Sequence, residues 1–218
     1  MANGTITHEH PSHVQHHFVD SDQQFDAAKM GMWVFLVTEI LFFGGLFAAY
    51  IIYRAWYPDL FIQASDQLNT LWGAVNTVVL IGSSLTVAMA IRSAQLNQKK
   101  GLIINLAITI ALAFVFMMIK YFEYTHKFHL GIFPGEFYTF EGIEHVKANI
   151  FFSIYYMMTG LHGVHVLVGI GLMIWLVVKA NRGVFSSEYY TPVEMVGLYW
   201  HLVDIIWIFL FPLLYLID

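Results

Sequence analysis

The stretch MGMWVFLVTEILFFGGLFAAYIIY, from Met30 to Tyr53, is the strongest indication of the fold class of this chain. It is about two dozen residues long and mostly apolar, and its one charged residue, Glu39, lies far from either polar end. A hydrocarbon core about 30 Å thick needs about 20 apolar residues in a helix, so this stretch can span a bilayer. A carboxylate at that depth costs several kcal/mol unless it is paired, hydrated or protonated. The stretch therefore predicts a membrane protein with a functional carboxyl group inside the membrane.

The composition also indicates a membrane protein. Hydrophobic residues make up 58% of the 218 residues and charged residues 11%, against roughly 25% charged residues in soluble domains. The formal net charge of −5 is small for this length, which argues against a nucleic-acid partner. The absence of cysteine excludes disulfides, thiolate-held metal clusters and a cysteine nucleophile. The segment Met1 to Ala28 is polar, so we predict no secretory signal peptide.

Four further apolar stretches are long enough to span a bilayer. They lack a sustained two-residue alternation, which favours helices over the strands of a barrel. We predict an all-α integral membrane protein, a bundle of five transmembrane helices without a second domain. The predicted spans cover approximately residues 30–53, 69–91, 102–124, 150–178 and 193–217, after a polar, His-rich tail over residues 1–29.

The basic residues near the span ends predict the orientation, since they concentrate on the inner side of a membrane. With the N-terminus inside, six such residues lie on the inner face and three on the outer face. We therefore predict an inside N-terminus and an outside C-terminus. The inner set is Lys29, Arg92, Lys99, Lys100, Lys179 and Arg182, and the outer set is Arg54, Lys127 and Lys147.

The N-terminal tail concentrates five histidines within ten residues, followed by three aspartates. A His-rich tract can bind copper or zinc. The alternative is a pH-sensitive polar tail that packs against a partner, which the spacing favours because it does not match a closed tetrahedral site. The histidines are His8, His10, His13, His16 and His17.

Glu39 is the strongest candidate for a proton-related residue. It shares a helix face with Phe43 through four-residue spacing. Its side chain is either a neutral carboxylic acid or an ion held by water and a partner. Two interpretations stay open: a proton-exchanging or water-organising site, and a protonated carboxyl that cross-links two helices by hydrogen bonding.

Lys120 and Glu123 form a second candidate pair near the end of the third predicted span. They are three residues apart and can meet on one helix face. A lysine that snorkels toward the interface and pairs with a glutamate is most often structural, so we favour a structural role.

A third polar cluster lies on the last two spans. His162 and His165 are three residues apart on the fourth span, as are His201 and Asp204 on the fifth. At about 1.5 Å per residue, His165 and Asp204 come to depths of about 18 Å and 16 Å, so they could meet. We favour a hydrogen-bonded His–Asp network that locks the helices together. A lipid-headgroup or water site and a haem or metal site are the alternatives.

Sequence motifs of enzymes are missing from the chain. There is no phosphate-binding loop, no GxGxxG before a helix, no HExxH and no GxSxG. We therefore assign no catalytic residue and predict that the chain is not an enzyme by itself.

Taken in order, the membrane motifs of this chain resemble those of subunit III of the haem–copper terminal oxidases, in particular the cytochrome c oxidase family. The resemblance covers nearly all of Lys29 to Asp218. The motifs are Met30-Gly31-Met32 leading to Thr38-Glu39-Ile40-Leu41-Phe42-Phe43, Leu68-Asn69-Thr70, Asn76-Thr77 with Ser83-Ser84, Glu123-Tyr124, Thr159-Gly160-Leu161-His162-Gly163-Val164-His165-Val166, and Tyr199-Trp200-His201-Leu202-Val203-Asp204-Ile205-Ile206-Trp207.

This resemblance implies a non-catalytic subunit of a proton-pumping oxidase that reduces O₂ to water with electrons from cytochrome c. Such a subunit binds no haem and no copper, which are expected in subunits I and II. It packs against subunit I, supports proton uptake and protects subunit I from losing activity during turnover. Glu39 matches the membrane-buried carboxyl of the family. The histidines and acidic residues of the last two helices match positions in helix contacts and near bound lipid.

The resemblance also implies a location and further partners. We expect a multi-pass protein of the bacterial cytoplasmic membrane, with subunit II, small subunits, membrane lipids and a larger respiratory assembly as further partners. Larger family members have seven helices, and the first helix here resembles their third, as in the five-helix form of many bacterial oxidases.

Other functions share parts of this pattern. A quinol oxidase subunit III and a nitric-oxide-reductase accessory protein would have the same architecture. A haem-bearing, quinone-reactive membrane anchor could use His162, His165 and His201. A small proton-coupled transporter would fit Glu39 and Asp204, but it would usually show internal repeats or broken helices.

Overall fold

The computed structural model describes residues 14–140, 142–143 and 147–217. These residues form six α-helices and one short 3-10 helix, and none of them lies in a β-strand. The α-helices are α1 (Ser21–Trp56), α2 (Pro58–Ser65), α3 (Thr70–Gln95), α4 (Lys99–His129), α5 (Ala148–Asn181) and α6 (Thr191–Tyr215), and the 3-10 helix covers Gly135–Phe137.

Five of these helices, all except α2, are long and apolar enough to cross a membrane. This confirms the predicted all-α fold with five candidate transmembrane helices. Helix α1 begins at Ser21, so it includes the end of the predicted polar tail. The Asp20 side chain caps its first turn by accepting a hydrogen bond of 2.7 Å from the Gln23 amide. The length of the apolar stretch could not predict these additional residues at the start of α1, because a polar first turn is stabilised by its cap and by contact with water.

Helix α2 was not predicted from the sequence. It follows α1 after Tyr57 and begins with Pro58, whose fixed φ suits the first position of a helix. Its apolar face is buried, and the Phe61 ring packs edge-on against the rings of Tyr50 and Phe151 at centroid distances of 5.3 and 5.1 Å. The helix therefore ties the end of α1 to the start of α5.

Helix α6 is the most enclosed of the five long helices, and α1 is the least enclosed. Helix α6 packs against α3, α5 and α1, and α4 packs against α3 and α5. Two fully buried tryptophans join α6 to α3. The Trp200 indole N–H donates to Ser83 Oγ at 3.0 Å, and the Trp207 indole N–H donates to Thr77 Oγ1 at 3.1 Å.

The approach of α5 to α6 depends on a glycine. A Cβ atom added to Gly169 would lie 2.6 Å from the Trp200 ring, so only glycine admits the indole at this place. This contact between Gly169 and Trp200 contributes to how closely α5 approaches α6 and to how α5 is rotated against it.

Candidate functional site

Glu39 on α1 pairs with His165 on α5. The Glu39 Oε2 atom lies 2.9 Å from the His165 Nε2 atom. Each of the two side chains is 18% exposed, so the pair lies at the side of the bundle and not at its centre. The Phe43 ring, one turn along α1, packs edge-on against the His165 imidazole at a centroid distance of 5.2 Å. The pair is thus apolar on one side and accessible from the outer surface of the bundle.

The second ring nitrogen of His165 determines how many protons the pair holds. His165 Nδ1 lies 2.8 Å from the Leu161 carbonyl oxygen, one turn earlier on α5. A carbonyl oxygen only accepts hydrogen bonds, so Nδ1 must carry a proton. Nε2 can then share one further proton with Glu39, as a neutral acid beside a neutral imidazole or as a carboxylate beside an imidazolium. Both states contain one proton between the two groups.

Three helices hold the pair in place. The Tyr199 hydroxyl of α6 donates to the His165 carbonyl oxygen at 2.9 Å, which joins α6 to this turn of α5. On α1, the Thr38 hydroxyl donates to the Phe35 carbonyl oxygen of its own helix at 2.6 Å. The Thr38 hydroxyl is thus used within α1, and the neighbouring Glu39 is the side chain of α1 that pairs with His165.

His162 does not join this pair. It is fully buried between the rings of Phe116 and Trp207, at centroid distances of 5.5 and 5.2 Å. Neither of its ring nitrogens has a hydrogen-bond partner among the described residues. His162 and His165 lie about one helical turn apart but differ in exposure and pairing. His165 is partly exposed and paired with Glu39, whereas His162 is fully buried inside the bundle.

His201 and Asp204 are also separate from the pair. His201 Nδ1 lies 2.6 Å from Ser84 Oγ on α3. Asp204 is 3% exposed, and its carboxyl oxygens lack a hydrogen-bond partner within the described part of the chain. His165 and Asp204 do not pair, although we predicted similar depths for them. The His165 side chain points toward α1 and pairs with Glu39 instead. The single His–Asp network that we expected is not formed in this structure.

Lys120 and Glu123 belong to a larger buried group, which we call the Glu123 cluster. Glu123 Oε2 accepts from Lys120 Nζ at 2.8 Å, and Glu123 Oε1 accepts from Lys127 Nζ at 2.6 Å. The hydroxyls of Tyr155 and Tyr215 donate to the same Oε1 atom at 3.0 and 2.7 Å. All five side chains of the cluster are buried.

Lys127 was not predicted to belong to this cluster. We predicted it as a cation of the outer face, but the residue lies in the last turn of α4 and is 2% exposed. Its spacing of four residues from Glu123 was the available signal.

The structure describes only part of the His-rich tail. His8, His10 and His13 lie outside the described residues, and the rings of His16 and His17 pack edge-on at 5.2 Å. Over residues 14–140, 142–143 and 147–217, no three His, Asp or Glu side chains converge in a way that could hold a metal ion.

Comparison with known proteins identifies the family. The family model of cytochrome c oxidase subunit III matches residues 5–218. The chain is 32% identical over 215 residues to the cytochrome c oxidase subunit 3 of Thermostichus vulcanus, covering 96% of this chain and 90% of that protein. It is 33% identical over 193 residues to the corresponding subunit of Synechocystis sp., covering 88% of this chain and 76% of that protein.

A further relative is named for two subunits at once. The heme-copper oxidase subunit I+III of Aeropyrum pernix is 28% identical over 220 residues, covering 96% of this chain and 24% of that protein. The matches extend over nearly the whole chain, whose described residues include five helices long and apolar enough to span a membrane. The chain therefore belongs to the cytochrome c oxidase subunit III family, as a multi-pass membrane subunit of a haem–copper oxidase.

Proposed function

We propose that this chain is the non-catalytic subunit III of a proton-pumping cytochrome c oxidase, and that it stabilises subunit I and supports proton uptake into it. The observation that carries the proposal is the Glu39–His165 pair, a carboxyl group and an imidazole 2.9 Å apart. Because the two groups share one proton, that proton can move between them with no change in the net charge of the pair, and its release to a partner leaves a carboxylate that the partner must stabilise.

The position of the pair suits exchange with a partner. Both side chains are partly exposed on the side of the bundle where α1 is the least enclosed helix. Apolar side chains surround Glu39 on that face, and Ile40 and Leu41 are 55% and 70% exposed. A partner helix packed over this face would exclude lipid and leave Glu39 as the polar group at the contact.

Subunit I is the partner that we propose for this face. The relative whose name joins subunits I and III supports close association of the two. In this proposal haem and copper lie in subunits I and II, cytochrome c is the electron donor, and the complex lies in the bacterial cytoplasmic membrane. Subunit II, further small subunits, membrane lipids and a larger respiratory assembly complete the set of partners.

The test uses the purified complex with Glu39→Gln, which keeps the size of the side chain and removes its exchangeable proton. We expect assembly with subunit I, slower proton uptake and a shorter active lifetime during turnover. The measurements are the haem spectrum, the rate of O₂ reduction and the proton uptake per electron.

The matched control is Asp204→Asn, a buried carboxyl that is enclosed at the centre of the bundle and does not contact the pair. It should leave proton uptake unchanged. If Glu39→Gln and Glu39→Ala both left assembly, uptake and turnover lifetime as in the wild type, the proton role would be wrong.

A further inference from the structure

The side chain of Tyr199 lies between the two helices that hold the Glu39–His165 pair. Its hydroxyl donates to the His165 carbonyl oxygen on α5 at 2.9 Å. Its ring lies 6.1 Å, centroid to centroid, from the ring of Phe35 on α1, one helical turn before Glu39. Tyr199 is only 5% exposed, so it belongs to the buried contact of α6 with both helices.

The spacing of α1 and α5 depends on α6. Helix α1 packs more extensively against α6 than against α5, and α5 itself packs extensively against α6. The hydrogen bond from Tyr50 of α1 to the Leu213 carbonyl oxygen of α6 lies far from the pair, about 16 Å along α1 from Glu39. At the level of the pair, Tyr199 supplies a contact of α6 with both helices.

The same tyrosine holds the turn of α5 that carries His165. A Cβ atom added to Gly169, at the end of this turn, would lie 3.4 Å from the Tyr199 ring and 2.6 Å from the Trp200 ring. Two neighbouring rings of α6 therefore enclose the end of the turn, and the Tyr199 hydroxyl bonds the carbonyl at its start. The backbone of this turn is thus seated on α6.

The orientation of the imidazole makes the pair sensitive to the spacing of α1 and α5. His165 Nδ1 lies 2.8 Å from the Leu161 carbonyl oxygen, so Nε2 is the ring nitrogen that meets Glu39, at 2.9 Å. A hydrogen bond between an acid and a base weakens as the two atoms separate or lose their alignment. The exchange of the shared proton therefore depends on where the α5 turn lies relative to α1.

We infer that Tyr199 is a positioning residue for the Glu39–His165 pair. Its hydroxyl anchors the His165 turn to α6, and α6 thereby sets the separation across which the shared proton moves. The effect on turnover rests on the role in proton uptake proposed above for the pair. Tyr199 itself exchanges no proton with the pair, because its hydroxyl bonds a backbone carbonyl and not one of the two side chains.

Two tyrosine variants test the inference. Tyr199→Phe removes the hydroxyl and keeps the ring that lies near Phe35 and Gly169. Tyr156→Phe is the matched control, because Tyr156 on α5 also donates its hydroxyl to a carbonyl oxygen, that of Ile132 at 2.8 Å, away from the pair. Each variant loses one tyrosine-to-carbonyl hydrogen bond, so a general loss of stability should affect both to a similar degree.

The first experiment records the infrared band of the Glu39 carboxyl group in the purified oxidase complex. The band is isolated by subtracting the spectrum of Glu39→Gln, and the same subtraction is made in the Tyr199→Phe and Tyr156→Phe backgrounds. We expect the band to shift in Tyr199→Phe and to stay in place in Tyr156→Phe, because the frequency of a carboxyl group follows the hydrogen bond that it makes. An unshifted band in Tyr199→Phe would overturn the inference.

The second experiment measures proton uptake by the complex during turnover. Tyr199→Phe should slow uptake by about two- to tenfold, the range that corresponds to one hydrogen bond, and Tyr156→Phe should not. In a Glu39→Gln background Tyr199→Phe should cause no further loss, because it acts through the pair. A loss of equal size in both backgrounds would mean that Tyr199 supports the bundle independently of the pair, which would refute the positioning role.

The positioning role and the proton role can fail separately. If Glu39→Gln takes up protons as the wild type does, the proton role of the pair is wrong, while a shifted band in Tyr199→Phe would still show that Tyr199 positions Glu39 against His165. If Glu39→Gln slows uptake and the band in Tyr199→Phe is unshifted, the proton role stands and the positioning role is wrong.

Discussion

The Glu39 carboxyl and the His165 imidazole meet at 2.9 Å although 126 residues separate them in the chain. The contact joins α1, the least enclosed helix of the bundle, to α5. It places the one charged residue of the first span beside a group that can share its proton. Exposed apolar side chains flank Glu39 on α1, so His165 is its polar partner among the described residues.

This pairing predicts a measurable energetic coupling. Glu39→Gln and His165→Gln should each destabilise the complex, and the double variant should lose less than the sum of the two. The expected coupling is about 1–3 kcal/mol, because each single change leaves the other group without its charge-assisted partner. Thermal unfolding of the four proteins in one detergent measures it. Additive losses would mean that the two groups do not interact.

The contact between Gly169 and Trp200 predicts a large effect from a small substitution. Gly169→Ala should destabilise the protein by about 1–3 kcal/mol, because the new methyl group overlaps the indole in a packed core. Gly171→Ala on the same helix is the control, since a Cβ atom there meets nothing within 4 Å. Thermal unfolding and membrane yield should separate the two variants. Equal stability would show that α5 and α6 can move apart at no cost.

The Glu123 cluster predicts an unequal response to loss of its charges. Glu123→Gln should cost about 3–5 kcal/mol, because it leaves two buried ammonium groups without a carboxylate. Lys127→Met should cost less, since it leaves the pair of Lys120 and Glu123 with no excess charge. Glu136→Gln, at an exposed position, is the control for removal of a carboxylate. The order of the unfolding temperatures tests this, and a larger loss in Lys127→Met would refute it.

The end of α6 depends on a hydroxyl from α1. The fully buried Tyr50 donates a hydrogen bond to the Leu213 carbonyl oxygen, near the end of α6, where helix carbonyls lack partners in their own helix. Tyr50→Phe should cost about 1–3 kcal/mol, because it leaves a carbonyl unsatisfied at a nearly unchanged shape. Tyr121→Phe, at a side chain that is 68% exposed, should be neutral. Thermal unfolding compares the two, and equal stability would contradict the prediction.

The proposed orientation can be tested by labelling, because the chain contains no cysteine. Gln98→Cys lies between α3 and α4, and Phe137→Cys lies between α4 and α5, where the native side chain is 76% exposed. With the N-terminus inside, an impermeant thiol reagent should label only Phe137→Cys in intact cells and both variants after permeabilisation. The reverse pattern would invert the topology.

Features that depend on local composition were predictable from the sequence. Five apolar stretches gave the number and approximate place of the spans, because the cost of placing polar groups in hydrocarbon depends on length and composition alone. The motifs around Glu39, His162 and Asp204 led to the family. The 8-residue α2 was missed because a short amphipathic segment is ambiguous by periodicity.

Partners of the buried polar residues were not predictable in the same way. Residue spacing gave the depths of His165 and Asp204, but a hydrogen bond also requires that the two side chains point at each other. That direction is set by how the helices are rotated and how closely they approach, and here the fit of Trp200 against Gly169 contributes to both. The sequence thus determined the approximate depth of each polar group in the membrane. The packing of the helices determined that His165 pairs with Glu39 and that Asp204 has no hydrogen-bond partner among the described residues.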